Sequence, residues 1–520
     1  MNRIWSCTGA LLLVFGWARP SLAQEAPKAA PAAEAKSGEA KPPESATPKE
    51  ESSVTDHSIR IGGQTIPYKA TASTTLLKNE KGEPAALMYS TAYTRSDVKD
   101  ASQRPIAFLF NGGPGSASVW LHMGAFGPRR VVTDNAAPTP PAPYKITDNE
   151  YSLLDKADLV FIDPVGTGFS HAVGKAEDKD FWGVDQDVRS LAQFIRIYLD
   201  RNQRWNSPKF LIGESYGTFR SVALGDYLRS QNGISVNGIV LISSVLDMGS
   251  LSFGPGDDRP YIYYLPTYAA VAWYYKVLKD RPDDLGAFLN DARQFASTEY
   301  AASLMKGSNL SSAEKSDIAA KMSRFTGLSE DYLIKAELRV TLSQFRAEIE
   351  RSRGATIGRY DARYSGPTYD LLTEHAEFDP SFTSVLGAFS AAFNTYVRAE
   401  LKFGGDQDYK VLPDAPSENW DWKHQRSSEF LSSPNVEGDL IHEMIQNAQL
   451  QVQVENGYFD MATPFLATEY TMDHLLLPAD ARSRIQLKYY TAGHMMYLHD
   501  EDLAKLKGNI AAFIDGAWKP

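Results

Sequence analysis

The stretch LIGESYGTFR, Leu211 to Arg220, decides the fold of this 520-residue chain. It continues a short apolar run that is typical of a strand buried on both faces, and it leads into a segment with a helical pattern, TFRSVALGDYLRS. Between strand and helix lies Gly-Glu-Ser-Tyr-Gly, centred on Ser215. The glycines permit a turn that is too tight for a flanking Cβ, and such a turn lifts a serine hydroxyl above a sheet. The context therefore favours a reactive serine over a serine in a structural turn.

Similar apolar runs lie on both sides of this stretch. PIAFLF and DLVFID precede it, and GIVLISS follows it. A helix with one apolar face is predicted from about Val184 to Leu199. Strands that alternate with helices indicate an open, mainly parallel sheet covered by helices. We therefore predict an α/β fold.

The alternation stops after Asp247 and resumes with LQVQVENGYFD, which ends at Asp460. The residues between show mostly helical patterns. We predict one catalytic domain, formed by residues 57–247 and 436–520, and a mostly helical cap insertion at 248–435.

The beginning of the chain predicts export. A basic start, the apolar run Gly9–Ala18 and the small residues Ser21–Ala23 form the pattern of a secretory signal peptide over residues 1–23. An uncleaved anchor and a buried helix are the alternatives. Residues 24–56 are rich in Ala, Pro, Glu and Lys, so we predict a disordered linker. Cys7 is the only cysteine and precedes the cleavage site, so no disulfide is expected in a periplasmic or secreted bacterial product.

Composition limits the partners. Apolar residues make up 43 % of the chain and charged residues 22 %, which is ordinary for a globular protein. The net charge of −11 argues against nucleic acid or an anionic membrane surface as a partner. No later stretch is apolar and long enough to be a transmembrane segment. The oligomeric state is not predicted.

A reactive serine needs a base, and the base needs an orienting acid. In this topology the chain order is serine, then acid, then histidine. Asp460 and His494 follow the last two predicted strands in that order, so we predict the triad Ser215, Asp460 and His494. Asp247, at the end of an earlier strand, stays an alternative acid. The alternatives for the base are His442, His474 and His499.

A second glycine-rich segment begins at Asn111, directly after the predicted strand PIAFLF. Consecutive glycines let backbone N–H groups approach a ligand closely. Gly113 is therefore a predicted oxyanion donor. The second donor is the N–H of Tyr216, which lies at the start of the helix after the serine.

Separated segments of the chain resemble the serine carboxypeptidase family. NGGPGSAS resembles the family's N-G-G-P-G-C-S-S, and IDPVGTGFS, Ile162 to Ser170, resembles its P-x-G-x-G-F-S segment. GESYG matches without change, and AGHM, Ala492 to Met495, matches the block around the family's catalytic histidine. NGYFDMATP aligns Asp460 with the family's aspartate. The resemblance covers about 58–247 and 450–514 and implies an α/β-hydrolase fold whose cap shapes the pocket.

The same resemblance implies release of C-terminal amino acids from peptide substrates through an acyl-enzyme on Ser215. It also implies that Asn111, Gly112 and Glu214 bind the free α-carboxylate. Glu214 must be protonated to donate to that carboxylate. The family's second glutamate is Ala125 here. No cluster of His, Cys or acidic residues suggests a metal site, and no cofactor is expected.

Several functions stay open because fold and triad do not fix the substrate. An esterase, an acyltransferase or an aminopeptidase could use the same triad. A non-catalytic binding protein at the cell surface is a further alternative. If the carboxylate of a substrate is bound by another group, Arg129 and Arg130 are candidates, since they follow the glycine-rich segment.

Overall fold

A mixed sheet forms the centre of the computed structural model, which describes residues 48–425 and 433–518. Its strand order is β1-β2-β3-β7-β4-β9-β10-β13-β14, with β8 paired to β3. The strands are β1 (Ser52–Ile61), β2 (Gln64–Lys78), β3 (Pro84–Arg95), β4 (Ile106–Phe110), β5 (Arg129–Val131), β6 (Ile146–Asp148), β7 (Asp158–Ile162), β8 (His171–Ala172), β9 (Lys209–Glu214), β10 (Gly238–Ile242), β11 (Ala355–Ile357), β12 (Ser365–Pro367), β13 (Gln451–Gly457) and β14 (Ile485–Tyr490). The predicted α/β fold is confirmed.

The helices lie between and around these strands. They are α1 (Val184–Arg201), α2 (Tyr216–Asn232), α3 (Arg259–Tyr275), α4 (Leu285–Phe295), α5 (Ala301–Met305), α6 (Ser312–Thr326), α7 (Glu330–Lys335), α8 (Leu342–Glu348), α9 (Pro380–Ala399), α10 (Asp414–Glu418), α11 (Glu437–Gln446), α12 (Phe465–Asp473), α13 (Ala479–Arg482) and α14 (Asp500–Ala517). In the described part of the chain, no helix has the length and apolar character needed to cross a membrane.

The parallel part of the sheet runs from β7 through β4, β9, β10 and β13 to β14. Strands β4, β7, β9 and β10 are buried on both faces, as the apolar runs predicted, whereas the edge strand β14 is only partly buried. In β9, Phe210 and Ile212 pack into one core cluster, while Leu211 between them packs into the cluster on the other face. Because parallel strands end at the same edge, the residues that follow β9, β13 and β14 meet there.

Mostly helices lie between β10 and β13, together with the small hairpin of β11 and β12. They enclose a third apolar cluster, which includes Phe459, Met461 and Phe465 from the segment after β13. Ser311 begins α6 with a capping box to Glu314, which satisfies two N–H groups at the helix start. The domain boundaries at 247 and 436 stay predictions.

The N-terminal strand starts earlier than the sequence analysis proposed. β1 begins at Ser52, inside the segment 24–56 that was predicted to be a linker, and it pairs with β2 along its whole length. Only Ile59 and Ile61 of β1 are buried, so its first half carries no apolar signal and is ordered by pairing with β2. The predicted signal peptide and the rest of that linker up to residue 47 lie outside the described residues.

Removing the start of β1 is expected to lower stability. Glu50 accepts hydrogen bonds from the Leu76 N–H at 2.6 Å and from Arg201 at 2.9 Å, so it anchors the start of this strand. A chain that begins at residue 58 loses this anchor and six residues of ladder, which should cost about 2–4 kcal/mol. Thermal unfolding against a chain that begins at residue 48 measures the loss. Equal midpoints would contradict a structural role for the segment.

Candidate active site

The serine in the glycine-flanked turn has an unusual backbone. Ser215 connects β9 to α2 with φ 59° and ψ −130°, a region that residues other than glycine rarely adopt. Its N–H donates to the Ile242 carbonyl of β10 at 2.9 Å, which helps to hold strain of about 1–3 kcal/mol. A Cβ on Gly213 would lie 2.0 Å from the Gly217 carbonyl oxygen, so only glycine fits before the serine. The turn therefore holds Ser215 at the wall of a cavity on the carboxyl edge of the sheet.

The acid and the base predicted from the sequence are in contact. Asp460 is fully buried, and its Oδ2 accepts from His494 Nδ1 at 2.8 Å and from the Thr463 hydroxyl at 2.6 Å. Its Oδ1 accepts from the N–H groups of Ala462 and Thr463 at 2.8 and 2.9 Å. The carboxylate is thus held by four hydrogen bonds. With Nδ1 as the donor, His494 Nε2 is left to accept a proton.

Main-chain bonds fix the position of the imidazole. The His494 N–H donates to the Tyr360 carbonyl at 2.6 Å, and the Ser243 hydroxyl donates to the His494 carbonyl at 2.7 Å. His494 Nε2 makes no hydrogen bond within the described residues. Ser215 and His494 nevertheless line the same cavity of about 180 Å³. The structure therefore brings the two side chains to one space, and bonds of this kind often close only when substrate binds.

Two opposing effects act on His494. Its burial alone would lower the pKa, but the charge and hydrogen bond of Asp460 outweigh burial and raise the pKa above the ordinary value. Glu214 adds to the rise, whereas Arg359 opposes it. Protonated His494 is thus favoured to a higher pH than a free imidazole.

The alternatives for acid and base have other partners. Asp247 accepts from the Gly249 N–H at 2.9 Å and pairs with Arg259 at 3.2 Å, so it caps a short helical turn. His499 contacts Asp502 at 2.6 Å. The other two histidines, His442 and His474, are exposed. In the described part of the chain, the partner of His494 is therefore Asp460 and not Asp247.

The glycine-rich segment packs directly against the start of α2. A Cβ on Gly112 would lie 2.4 Å from the Tyr216 nitrogen, so this approach needs a glycine. Gly113 follows with φ 106°, and both Gly113 and Tyr216 line the cavity. As the first residue of α2, Tyr216 has no carbonyl one turn earlier within the helix to accept its N–H. The two predicted oxyanion donors therefore lie at adjacent points of the cavity wall.

Asn111 and Glu214 line the same cavity. Asn111 Oδ1 accepts from the Leu121 N–H at 3.0 Å, so its amide NH₂ remains as the donor for a ligand. Glu214 is only 4 % exposed, and its Oε2 has no hydrogen bond among the described residues. Burial raises the pKa of Glu214 to about 7, although the nearby His494 and Tyr497 act against the rise. A group with this pKa can donate a proton in a hydrogen bond below neutral pH.

The sequence analysis did not identify Tyr497, which is the neighbour of Glu214. Its hydroxyl lies beside the Glu214 carboxyl and the Asn111 amide, but it makes no hydrogen bond within the described residues. A Cβ on Gly124 would lie 2.6 Å from the Tyr497 ring, so the glycine at this position leaves space for the ring. Glu214 therefore faces the phenol of Tyr497. The only sequence signal was that glycine.

The two arginines proposed as carboxylate receptors lie elsewhere. Arg129 pairs with Asp148 and Glu400, and Arg130 pairs with Asp500 at 3.0 Å. Neither is among the described residues that line the cavity. Arg359, which the sequence analysis missed, does line it. No sequence pattern indicated Arg359, because its position depends on how the segment between β10 and β13 folds.

Comparisons with known proteins match part of the chain to one family. The family model of serine carboxypeptidases matches residues 65–247. The pheromone-processing carboxypeptidase KEX1 of Saccharomyces cerevisiae is 34 % identical over 110 residues, which cover 21 % of this chain and 14 % of the yeast protein. A retinoid-inducible serine carboxypeptidase of Rattus norvegicus is 27 % identical over 188 residues, which cover 35 % of this chain and 38 % of the rat protein. The chain thus matches less than half the length of these relatives.

A solved structure extends the similarity to the fold. The crystal structure of a prohormone-processing carboxypeptidase from Saccharomyces cerevisiae, KEX1(DELTA)P, superposes with a TM-score of 0.55 at 18 % identity. The superposition covers 86 % of this chain and 91 % of the yeast chain, and at this identity it speaks for the fold alone. Residues 65–247 thus match the serine carboxypeptidase family, and the chain has an α/β-hydrolase fold.

Proposed function

We propose that this chain is a serine-type carboxypeptidase that releases C-terminal amino acids from peptides through an acyl-enzyme on Ser215. The observation that carries the proposal is one cavity lined by three kinds of group. It holds the serine, the imidazole that is bonded to Asp460, and the side chains of Asn111 and Glu214. A reactive centre beside groups that can donate to a carboxylate fits a peptide with a free C-terminus.

In this proposal Ser215 and His494 act in two steps. His494 Nε2 takes the hydroxyl proton while Ser215 Oγ bonds to the carbonyl carbon of the last peptide bond, and the N–H groups of Gly113 and Tyr216 stabilise the oxyanion. The imidazolium then protonates the amine as the C–N bond breaks, and the free amino acid leaves. Water next loses a proton to His494 and attacks the ester carbon. The proton returns to Ser215 Oγ as the shortened peptide departs.

The α-carboxylate is received by Asn111, Gly112 and Glu214. The Asn111 amide and a protonated Glu214 each donate a hydrogen bond, and Gly112 lets the main chain come close. Hydrogen bonds to a charged group contribute about 1.5–3 kcal/mol each. Once Glu214 loses its proton, it repels the carboxylate, so binding depends on pH.

We also propose that the chain is exported, on the strength of the N-terminal pattern over residues 1–23. The peptide substrates would then be met outside the cytoplasm. The sequence of the product after removal of that segment, read from its N-terminus, tests this part of the proposal.

Products from a peptide library test the reaction. Single residues released from free C-termini, with much slower cleavage of the amidated peptides, are the expected result. Release from the N-terminus would indicate an aminopeptidase. Turnover of simple esters without any peptide cleavage would indicate an esterase, and failure to react with a fluorophosphonate would indicate a binding protein.

Replacing Ser215 by alanine should abolish turnover. Loss of a triad serine typically lowers kcat by about four to six orders of magnitude. The fold should persist, because the turn loses one hydroxyl and some strain. Fluorophosphonate labelling and peptide release measure the effect, with the exposed Ser316→Ala as the matched control. Activity above a few per cent in Ser215→Ala would show that another residue is the nucleophile.

Asp460→Asn should lower kcat by about four orders of magnitude, because the amide favours the wrong imidazole tautomer. Asp247→Asn should have a far smaller effect, since Asp247 caps a helical turn. Peptide hydrolysis by both variants, together with their unfolding midpoints, compares the two acids. The opposite ranking at equal stability would make Asp247 the orienting acid.

Glu214→Gln should change how KM depends on pH. In the wild type, ionisation of Glu214 above about pH 7 should raise KM for free-acid peptides by up to about tenfold per pH unit, whereas glutamine cannot ionise. The raised pKa of His494 should lower kcat on the acidic side in both forms. Kinetics on free-acid and amidated peptides over roughly pH 5–9 separate the two effects.

The matched control is Glu455→Gln. Glu455 is also buried with its pKa raised to about 7, but it bonds to Tyr490 and Gln453 outside the cavity. The Glu455→Gln substitution should leave the pH dependence of KM unchanged. An alkaline rise in KM that persists in Glu214→Gln would exclude Glu214 as the carboxylate-binding group.

A further inference from the structure

Arg359 lies in the loop between β11 and β12 and lines the same cavity as Ser215 and His494. Its N–H donates to Asp379 Oδ2 at 3.1 Å, and its carbonyl accepts from the Met461 N–H at 3.1 Å. The carbonyl of the next residue, Tyr360, accepts from the His494 N–H. The main chain of Arg359 and Tyr360 is therefore hydrogen-bonded to Met461, next to Asp460, and to His494. These bonds fix the position from which the Arg359 side chain extends.

The guanidinium of Arg359 has no acid within 4.0 Å in the described part of the chain. It lies over the Tyr360 ring, 5.5 Å from the ring centre. Asp379 is already occupied, because its Oδ1 accepts from the N–H and the hydroxyl of Ser381 and its Oδ2 accepts from the Arg359 main chain. In the described part of the chain, the guanidinium of Arg359 thus has no carboxylate in contact with it at the cavity wall.

Several other arginines of the described residues pair with an acid, although Arg346 and Arg484 donate only to main-chain carbonyls. Arg204 and Arg220 pair with Asp158 and Asp187. Arg363, four residues after Arg359, pairs with Asp361 at 2.6 Å. A guanidinium that the protein leaves without a carboxylate, and that faces a ligand cavity, is suited to a carboxylate from the ligand, because its planar fork donates to both carboxylate oxygens.

We propose that Arg359 binds a carboxylate of the substrate. The carboxylate is either the α-carboxylate of the peptide or the side chain of an acidic residue beside the scissile bond. The proposal rests on the proposed function, since it assumes a peptide in the cavity. In the first case Arg359 supplements the site of Asn111 and Glu214, and in the second it selects acidic peptides.

Arg359→Gln and Arg359→Lys test the proposal on matched peptides that differ only near the C-terminus. One has a neutral last residue and a free C-terminus, one is its amide, and two carry glutamate at the last or penultimate position. The glutamine variant should lose about 10–100-fold in kcat/KM, mainly through KM, and lysine should restore part of it. Arg353→Gln is the control, since Arg353 is 63 % exposed and lies outside the cavity.

The pattern of loss identifies the source of the carboxylate. An equal loss on all free-acid peptides, with the amide unaffected, indicates the α-carboxylate. A loss confined to the glutamate peptides indicates the side chain. The proposal is overturned if Arg359→Gln stays within about twofold of the wild type on every peptide, or if it loses as much on the amide as on the acids.

A binding assay distinguishes failure of the proposed role of Arg359 from failure of the proposed function. If the wild type cleaves no peptide, the proposed function fails. The same peptides, added in excess, should still slow fluorophosphonate labelling of Ser215 in the wild type and protect Arg359→Gln less. Equal protection of both forms overturns the role of Arg359.

Discussion

The site depends on how closely two turns approach each other. The main chain at Gly112 abuts the first N–H of α2 so tightly that no Cβ could stand between them. This contact sets Asn111 and Gly113 from one turn beside Glu214 and Ser215 from the other. Since both turns leave adjacent parallel strands, β4 and β9, their separation is fixed by the spacing of the sheet. The predicted oxyanion donors and the predicted nucleophile therefore lie in one wall of the cavity.

The sequence predicts the site best where the candidate catalytic residues directly follow strands. Asp460 and His494 could be paired in advance because they follow β13 and β14, which are neighbours in the sheet. Their hydrogen bond of 2.8 Å agrees with that order, while their catalytic roles stay predictions. The support around them could not be foreseen. Thr463 and Ser243 hold the pair through hydrogen bonds that the hydrophobic periodicity of the sequence does not indicate.

Contacts that join distant segments were the ones missed. Tyr497 reaches Glu214 because Gly124 leaves room for its ring, and Arg359 enters the cavity from the cap. The predicted linker at 24–56 extended too far, because the first half of β1 is polar and is ordered by pairing with β2. In each case the deciding partner lies far away in the chain. Composition and spacing describe only the segment in which a residue lies. They therefore do not indicate contacts with residues far away in the chain.

The third apolar cluster has a consequence for exchange of parts between relatives. It joins cap helices to Phe459 and Met461, which flank the aspartate that holds the imidazole. A chimera that takes the segment between β10 and β13 from a relative would also replace the packing around that aspartate. The cap is therefore no independent module, and new specificity would be obtained more readily by changing cavity-facing side chains than by transplanting the whole insertion.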